Sequence, residues 1–333
     1  MNKAYIFFIV ILLIAGCKGT GKEYNPSITG EQIYSGKDGL IMEFLKDAPP
    51  GTAFDLSVIP IGLNLYNKGA FDITEGYLSI MLEKDYMELN TGSLRSINGK
   101  TSLQDSSKIG FELKGKQINL PNGDRDVITF TANTQELGER DRQSQLHDSF
   151  ISITGCYGYK TTAAATVCID SDLFGLKKRE KTCEIKDVNL NSQGAPIAVT
   201  KIQSEMVPDS EDPAIVKPRF VITIKNIGNG EAVKRDRVRD ACSSEAIGYK
   251  DWSKINAKVY LGGVSDDKLL KCDVAIENDG VVRLQNKEDT IRCSYEAGFD
   301  DSKGTFSTPI YVILEYGYST TISKQIRIIK ASN

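Results

Sequence analysis

"YGYKTT" (Tyr157–Thr162) and "YGYSTT" (Tyr316–Thr321) stand 159 positions apart in a chain of 333 residues. The offset holds beyond the hexapeptide. "LNLYNKGA" (63–70) lines up at +159 with "ITIKNIGN" (222–229), and "LIMEFLKDAP" (40–49) with "VTKIQSEMVP" (199–208). "LPNGDRDVITF" (120–130) matches "LQNKEDTIRC" (284–293) at about +163, which places Phe130 opposite Cys293. A fixed period over this length is the mark of a tandem duplication with loop insertions and deletions. The copies span about residues 38–170 and 197–330.

Each copy reads as all-β. "FDLSVIPIGLNLYN" and "PRFVITIKN" alternate apolar and polar residues, the period of a half-buried strand. "NKGA" and "NIGNG" are turn signals between such strands. Beyond the N-terminus the sole helical candidate is a short one near Ser243–Ile255. Many short strands separated by turns predict a β-sandwich in each copy, each with its own core and able to fold alone. "FVITIKNIGNGEA" (Phe220–Ala232) and "YVILEYGYSTTISKQIRI" (Tyr311–Ile328) resemble immunoglobulin-like modules of the CARDB (cell-adhesion-related) type. The chain as a whole resembles tandem-domain surface proteins of archaeal genomes. The resemblance implies two immunoglobulin-like sandwiches and leaves function open, because this architecture hosts many activities.

The N-terminus has Lys3, then an uncharged, mostly apolar run from Ala4 to Gly16, too short to span a bilayer and suited to a signal peptide. It closes in Ile14-Ala15-Gly16-Cys17, which resembles a prokaryotic lipobox. That implies cleavage before Cys17, lipid on its sulfur and an exported chain held to the membrane. The expected organisation is a signal peptide (1–16), a polar, Gly-rich tether (17–37), a first domain (38–170), a linker (171–196) and a second domain (197–333). A formal net charge of −3 gives no basic field for nucleic acid.

Six further cysteines, an even number in an exported chain, predict disulfides. Reading "EYGYSTTISKQIR" as a hairpin turning near Thr321 sets Glu315 opposite Arg327. The offset then sets Cys156 opposite Cys168, a cross-strand bridge in the first copy. Cys272 aligns with Phe111 and Cys293 with Phe130, so a core phenylalanine pair becomes a second bridge. Cys183 and Cys242 remain and pair by elimination. The paired tyrosines point inward with their hydroxyls at the rim; ligand binding is their alternative use.

Catalytic chemistry finds little support. The single histidine, His147, follows Ser144 and precedes Asp148 without a nucleophile elbow, and reads as a solvated loop residue. Asn122, Asp124 and Asp126 place oxygens at alternate positions but lack the bidentate glutamate of a calcium loop, so they read as a polar turn and no metal or cofactor is assigned. The second copy carries an insertion that begins with "VKRDRVRDAC" (233–242) and holds the one tryptophan. Arg235, Arg237, Arg239, Tyr249 and Trp252 form its candidate partner-binding patch, since loops on a rigid scaffold gather binding residues. The expected function is non-enzymatic: an envelope lipoprotein in surface structure, adhesion or binding of a protein or glycan partner. The alternative is a substrate-binding or accessory component, for glycan or peptide, of an export or degradative system.

Overall fold

A computed structural model describes residues 33–103, 109–137, 145–173, 175, 180–243, 247–263, 268–273 and 280–331. The first half holds β1 (Leu40–Phe44), β2 (Thr52–Phe54), β3 (Val58–Asn67), β4 (Ile73–Leu82), β5 (Met87–Ser96), β6 (Thr101–Leu103), β7 (Ile109–Leu113), β8 (Arg125–Thr134) and β9 (Leu146–Asp170). The second holds β10 (Val188–Asn189), β11 (Ile197–Pro208), β12 (Ile215–Asn226), β13 (Glu231–Val233), β14 (Lys254–Leu261), β15 (Lys268–Leu269), β16 (Lys271–Asp273), β17 (Val281–Arg283), β18 (Glu288–Ser294), β19 (Phe299–Asp300) and β20 (Thr305–Ile329).

Among the described residues the strands form three sheets. Two small ones run β1-β3-β8-β5 and β10-β11-β12-β18-β16, with β19 also on β12. The third runs β15-β14-β20-β9-β4-β7-β6, with β13 and β2 also on β20 and β17 on β14. The small sheets cover the same face of the large one and make two β-sandwiches side by side. Alternation drives the burial. In β3, Ile59, Ile61, Leu63 and Leu65 are buried while Val58, Asn64 and Tyr66 face away from that core.

β9 and β20 are unbroken strands of 25 residues that pair antiparallel over their whole length. The expected hairpin at each hexapeptide is therefore absent. "KTTAAAT" (160–166) offers no Gly, Pro, Asn or Asp for a reversal, and its threonines favour extended backbone. Arg327 faces Asp148 and Glu315 faces Lys160, so the expected Glu315–Arg327 pair does not form. Gly158 pairs with Gly317, its own counterpart at +159; Tyr157 pairs with Tyr318 and Tyr159 with Tyr316. The hexapeptide recurs because a pseudo-two-fold axis passes between the two glycines.

Each long strand serves both halves. The end of β20 runs beside the start of β9 and pairs on its other side with β2 of the first half, burying Ile326 and Ile328. The end of β9 lies beside the start of β20 and buries Val167 and Ile169. One contiguous hydrophobic core runs through the molecule in place of the two separate cores expected.

The pairing also refines the internal alignment. Phe130 faces Ile61 and Cys293 faces Phe220, so these two are equivalent as the sequence suggests. Leu40 faces Asn67 and Ile197 faces Asn226, which makes Ile197, not Val199, the counterpart of Leu40. An irregularity between Val199 and Lys201 accounts for part of this slip. Phe111 lies in the large sheet against Gly76, so it is not the counterpart of Cys272, which sits on β16 of a small sheet.

Candidate functional site

The sequence features converge on the axis. Asn67 and Asn226 end β3 and β12, and each accepts a hydrogen bond from the glycine two residues on, at 3.2 Å from Gly69 N and 3.1 Å from Gly228 N. Each also takes the hydroxyl of a repeated tyrosine, Tyr159 at 3.2 Å and Tyr318 at 3.0 Å. Those hydroxyls accept in turn from Phe71 N and Gly230 N. The other two tyrosines meet the first strand of each small sheet: Tyr157 accepts from Leu40 N at 3.1 Å and Tyr316 from Ile197 N at 3.4 Å. A Cβ on Gly69 would lie 1.9 Å from the Tyr159 hydroxyl, so glycine there is required by close approach. The repeated Asn-x-Gly turn and the repeated Tyr-Gly-Tyr are one hydrogen-bonded unit and not two separate signals.

The four rings form a closed circuit with centroid spacings of 5.5, 5.8, 6.3 and 6.4 Å, within the range of favourable aromatic pairing. Burial pushes all four phenols up, Tyr318 to about 12. These are buried, satisfied core residues, so the alternative of a ligand-binding aromatic pair finds no accessible ring face here.

The opposite face of the axis carries the insertion. β4 runs unbroken along β9, whereas its counterpart along β20 is split into β13 and β14, with residues 234–253 between them. That segment holds 3-10 turns at Arg235–Arg237 and Tyr249–Asp251 and a helical turn at Val238–Ala241, slightly earlier than the helix expected near Ser243–Ile255. It crosses onto the first half. Arg235 pairs with Glu75 at 2.6 Å and its guanidinium covers Gly158, where a Cβ would lie 2.2 Å from Cζ. Val233 and Val238 cover Gly317 in the same way.

Disulfides fix this arrangement. Cys242 is bonded to Cys156 on β9, with Cα atoms 5.7 Å apart, and Cys168 is bonded to Cys183. The expected Cys156–Cys168 and Cys183–Cys242 bridges do not form. Twelve residues of unbroken strand hold Cys156 and Cys168 roughly 40 Å apart. Cys272–Cys293 does form, across β16 and β18. Its counterpart region in the first half is the irregular stretch of β5 between Asn90 and Arg95.

Arg237 pairs with Asp240 at 2.9 Å, and Arg239 lies on the helical turn near Tyr77. Tyr249 is 84% exposed and lies 5.0 Å from the Arg283 guanidinium, while Trp252 is half-buried and bridges to Val233. Thus Arg235 joins the halves, and Tyr249 faces solvent. Asp126 is buried and accepts from Ser96 Oγ, Asn98 N and Val127 N; Asp124 pairs with Lys100 at 3.3 Å. Asn122 lies exposed in the same turn. No group of three or more His, Cys, Asp or Glu residues suited to a metal occurs among the described residues. His147 meets Glu83 at 2.8 Å and stacks on Tyr86, while Ser149 donates to the same Glu83 oxygen and Asp148 takes Arg327 in a two-bond pair. Burial raises the Glu83 carboxyl, but the hydrogen bonds from His147 and Ser149 outweigh it and the net shift is downward. Cys17 and Ser144 lie outside the described residues.

The geometry defines a disulfide-bonded, all-β protein of two interlocked sandwiches. No family model and no curated protein matches the chain. Among solved structures it is similar to the serine-rich repeat adhesion glycoprotein Srr1 from Streptococcus agalactiae, at 9% identity over 92% of this chain and 100% of that one, with a TM-score of 0.21. At that score the likeness carries no argument about function.

Proposed function

We propose that the chain is an exported, lipid-anchored envelope protein that acts without catalysis, as a stiff body presenting binding surfaces on the extracytoplasmic face. The observation that carries this reading is the set of three disulfides, one of which ties the second half's insertion across the axis to the first half. Such bonds form and persist in oxidising compartments outside the cytoplasm. The lipobox-like Ile14–Cys17 and the polar run that follows supply the anchor and tether. The CARDB-type resemblance of Phe220–Ala232, and with it a place among archaeal surface proteins, belongs to the same proposal. A role in surface structure, adhesion or partner binding needs shape held constant under load or shear, and the full-length β9–β20 ladder supports that.

The test is fractionation and intact mass of wild type against Cys17→Ser. The reading expects lipid mass on Cys17 and a membrane-bound wild type, with the variant unprocessed or released. Equal membrane association and a mature mass without lipid would overturn the anchor.

A further inference from the structure

We propose that the first half binds an acidic saccharide in the cleft between the start of β1, the end of β3 and the turn that leads into β8. The cleft measures about 840 Å³ and is lined by Lys68, Lys116 and Arg125, with Tyr66, Asn98 and Asn122 beside them. That volume suits two or three sugar rings, on the scale of ordinary small-molecule sites.

Lys116 Nζ donates to the Ser35 carbonyl at 2.9 Å, and Lys68 Nζ lies 5.5 Å from the Tyr66 ring centroid. Neither they nor Arg125 has a carboxylate within ion-pair distance among the described residues. Two carboxylates line the cleft, but Asp124 is taken by Lys100, so Asp38 alone opposes three cations. Burial lowers the Lys116 pKa, Asp38 counters this, and the nearby Lys68 lowers it further, so an anion between the two lysines would relieve their repulsion.

The duplication provides an internal control. Tyr66 faces Arg125 across β3 and β8; at the same register in the second half Lys225 faces Glu288, and these two form an ion pair at 3.0 Å. Lys68 is matched at +159 by Ile227. The matching strand pair in the twin is thus self-neutralised, whereas Tyr66 leaves Arg125 without such a partner. A cation cluster opposed by one carboxylate, beside an aromatic ring and two amides, matches a ligand that offers an acid group, a ring and hydroxyls together. Lysine and arginine supply charge-assisted hydrogen bonds to the acid group.

This inference rests on the binding role proposed above, but affinity does not depend on anchoring, so the two fail separately. The test is calorimetric titration of the detergent-solubilised full chain with trigalacturonate, its neutral methyl ester, a sulfated chondroitin tetrasaccharide and sodium sulfate, at matched ionic strength. One of the two acidic oligosaccharides is expected to bind at least tenfold more tightly than the ester and than sulfate; binding of trigalacturonate shows that a carboxylate suffices, and binding of the chondroitin alone shows that sulfate is required. Lys68→Ala and Lys116→Ala should each weaken it about tenfold with an unchanged thermal midpoint, while Lys225→Ala leaves it unaltered. Failure of both acidic oligosaccharides to bind, equal affinity for the ester or for sulfate, or unaltered affinity in Lys68→Ala would overturn the proposal.

Discussion

Removing the Cys156–Cys242 bond should cost more than removing either of the others. The bond closes a separation of 86 residues, against 15 for Cys168–Cys183 and 21 for Cys272–Cys293. In the chain-entropy model these loops contribute about 4.6, 3.0 and 3.3 kcal/mol. At ~2.1 cal/mol/K of unfolding entropy per residue, roughly 300 residues unfolding together give about 0.6 kcal/mol/K, so the midpoint should fall about 7 °C for Cys156→Ala with Cys242→Ala and about 5 °C for each other pair. Replacing both partners avoids a free thiol. The Arg235–Glu75 pair remains in the first variant and, being about one-third exposed at both ends, offsets little of the loss. Differential scanning calorimetry reads the midpoints, and one transition in the wild type checks that the halves unfold together. A loss for the 156/242 pair no greater than for the 168/183 pair would refute the view that the insertion constrains the two halves as one body.

The four axial tyrosines have raised pKa values in the folded state, so the stability they lend is intact below the unfolded phenol value near 10 and is lost as pH climbs through the folded values. Tyrosinate absorbance should therefore show four late-ionising groups that appear in one cooperative step with unfolding; a smooth titration of every tyrosine centred near pH 10 would contradict this. Gly317→Ala drives a methyl against Val233 and Val238 and should cost about 1–3 kcal/mol in urea unfolding, whereas Gly158→Ala meets only the movable end of Arg235 and should cost about 1 kcal/mol or less. Asp126→Ala strands its buried donors and should lose about 3 kcal/mol, with calcium leaving the wild-type midpoint unchanged. Fragments 38–170 and 197–330, expressed separately, should not persist as folded monomers but should assemble when mixed, as read by light scattering with circular dichroism; two stable monomers would show that the shared strands are dispensable.

The sequence carried the strand class and the duplication, because alternation and turn residues are local signals. Val58–Asn67, and Pro218–Asn226 of β12, were legible from their periodicity alone. The partner of an edge was not legible. "STTISK" (319–324), like "KTTAAAT", holds no Gly, Pro, Asn or Asp for a reversal, so composition favours a long strand, and the hairpin came instead from the symmetric spacing of Glu315 and Arg327 about Thr321. The cysteine error follows from that one choice: a false hairpin set Cys156 on Cys168 and left Cys183 to Cys242. Cys272–Cys293 came out right on an alignment that was half wrong, since Phe130 is the true counterpart of Cys293 and Phe111 belongs to another sheet. The insertion was visible as a gap in the repeat, but its landing place on Gly158 depends on a contact between halves that no window of sequence contains. The Lys68, Lys116 and Arg125 cleft was hidden for a similar reason, being drawn from three separate stretches.

Gly158 and Gly317 have a consequence for the molecule's ancestry. If the repeat began as a single module, two identical copies meeting along β9 would have made a symmetric dimer with the Tyr-Gly-Tyr stretches crossing at its centre. A loop placed over that centre would collide with its own image, because a symmetry axis has room for one occupant. Joining the copies in one gene removes the conflict. One copy can then grow the segment 234–253 over the glycine pair and bond it through Cys242, while the other keeps β4 unbroken beneath it. Fusion, in this view, turned a shared and unusable position into a private one.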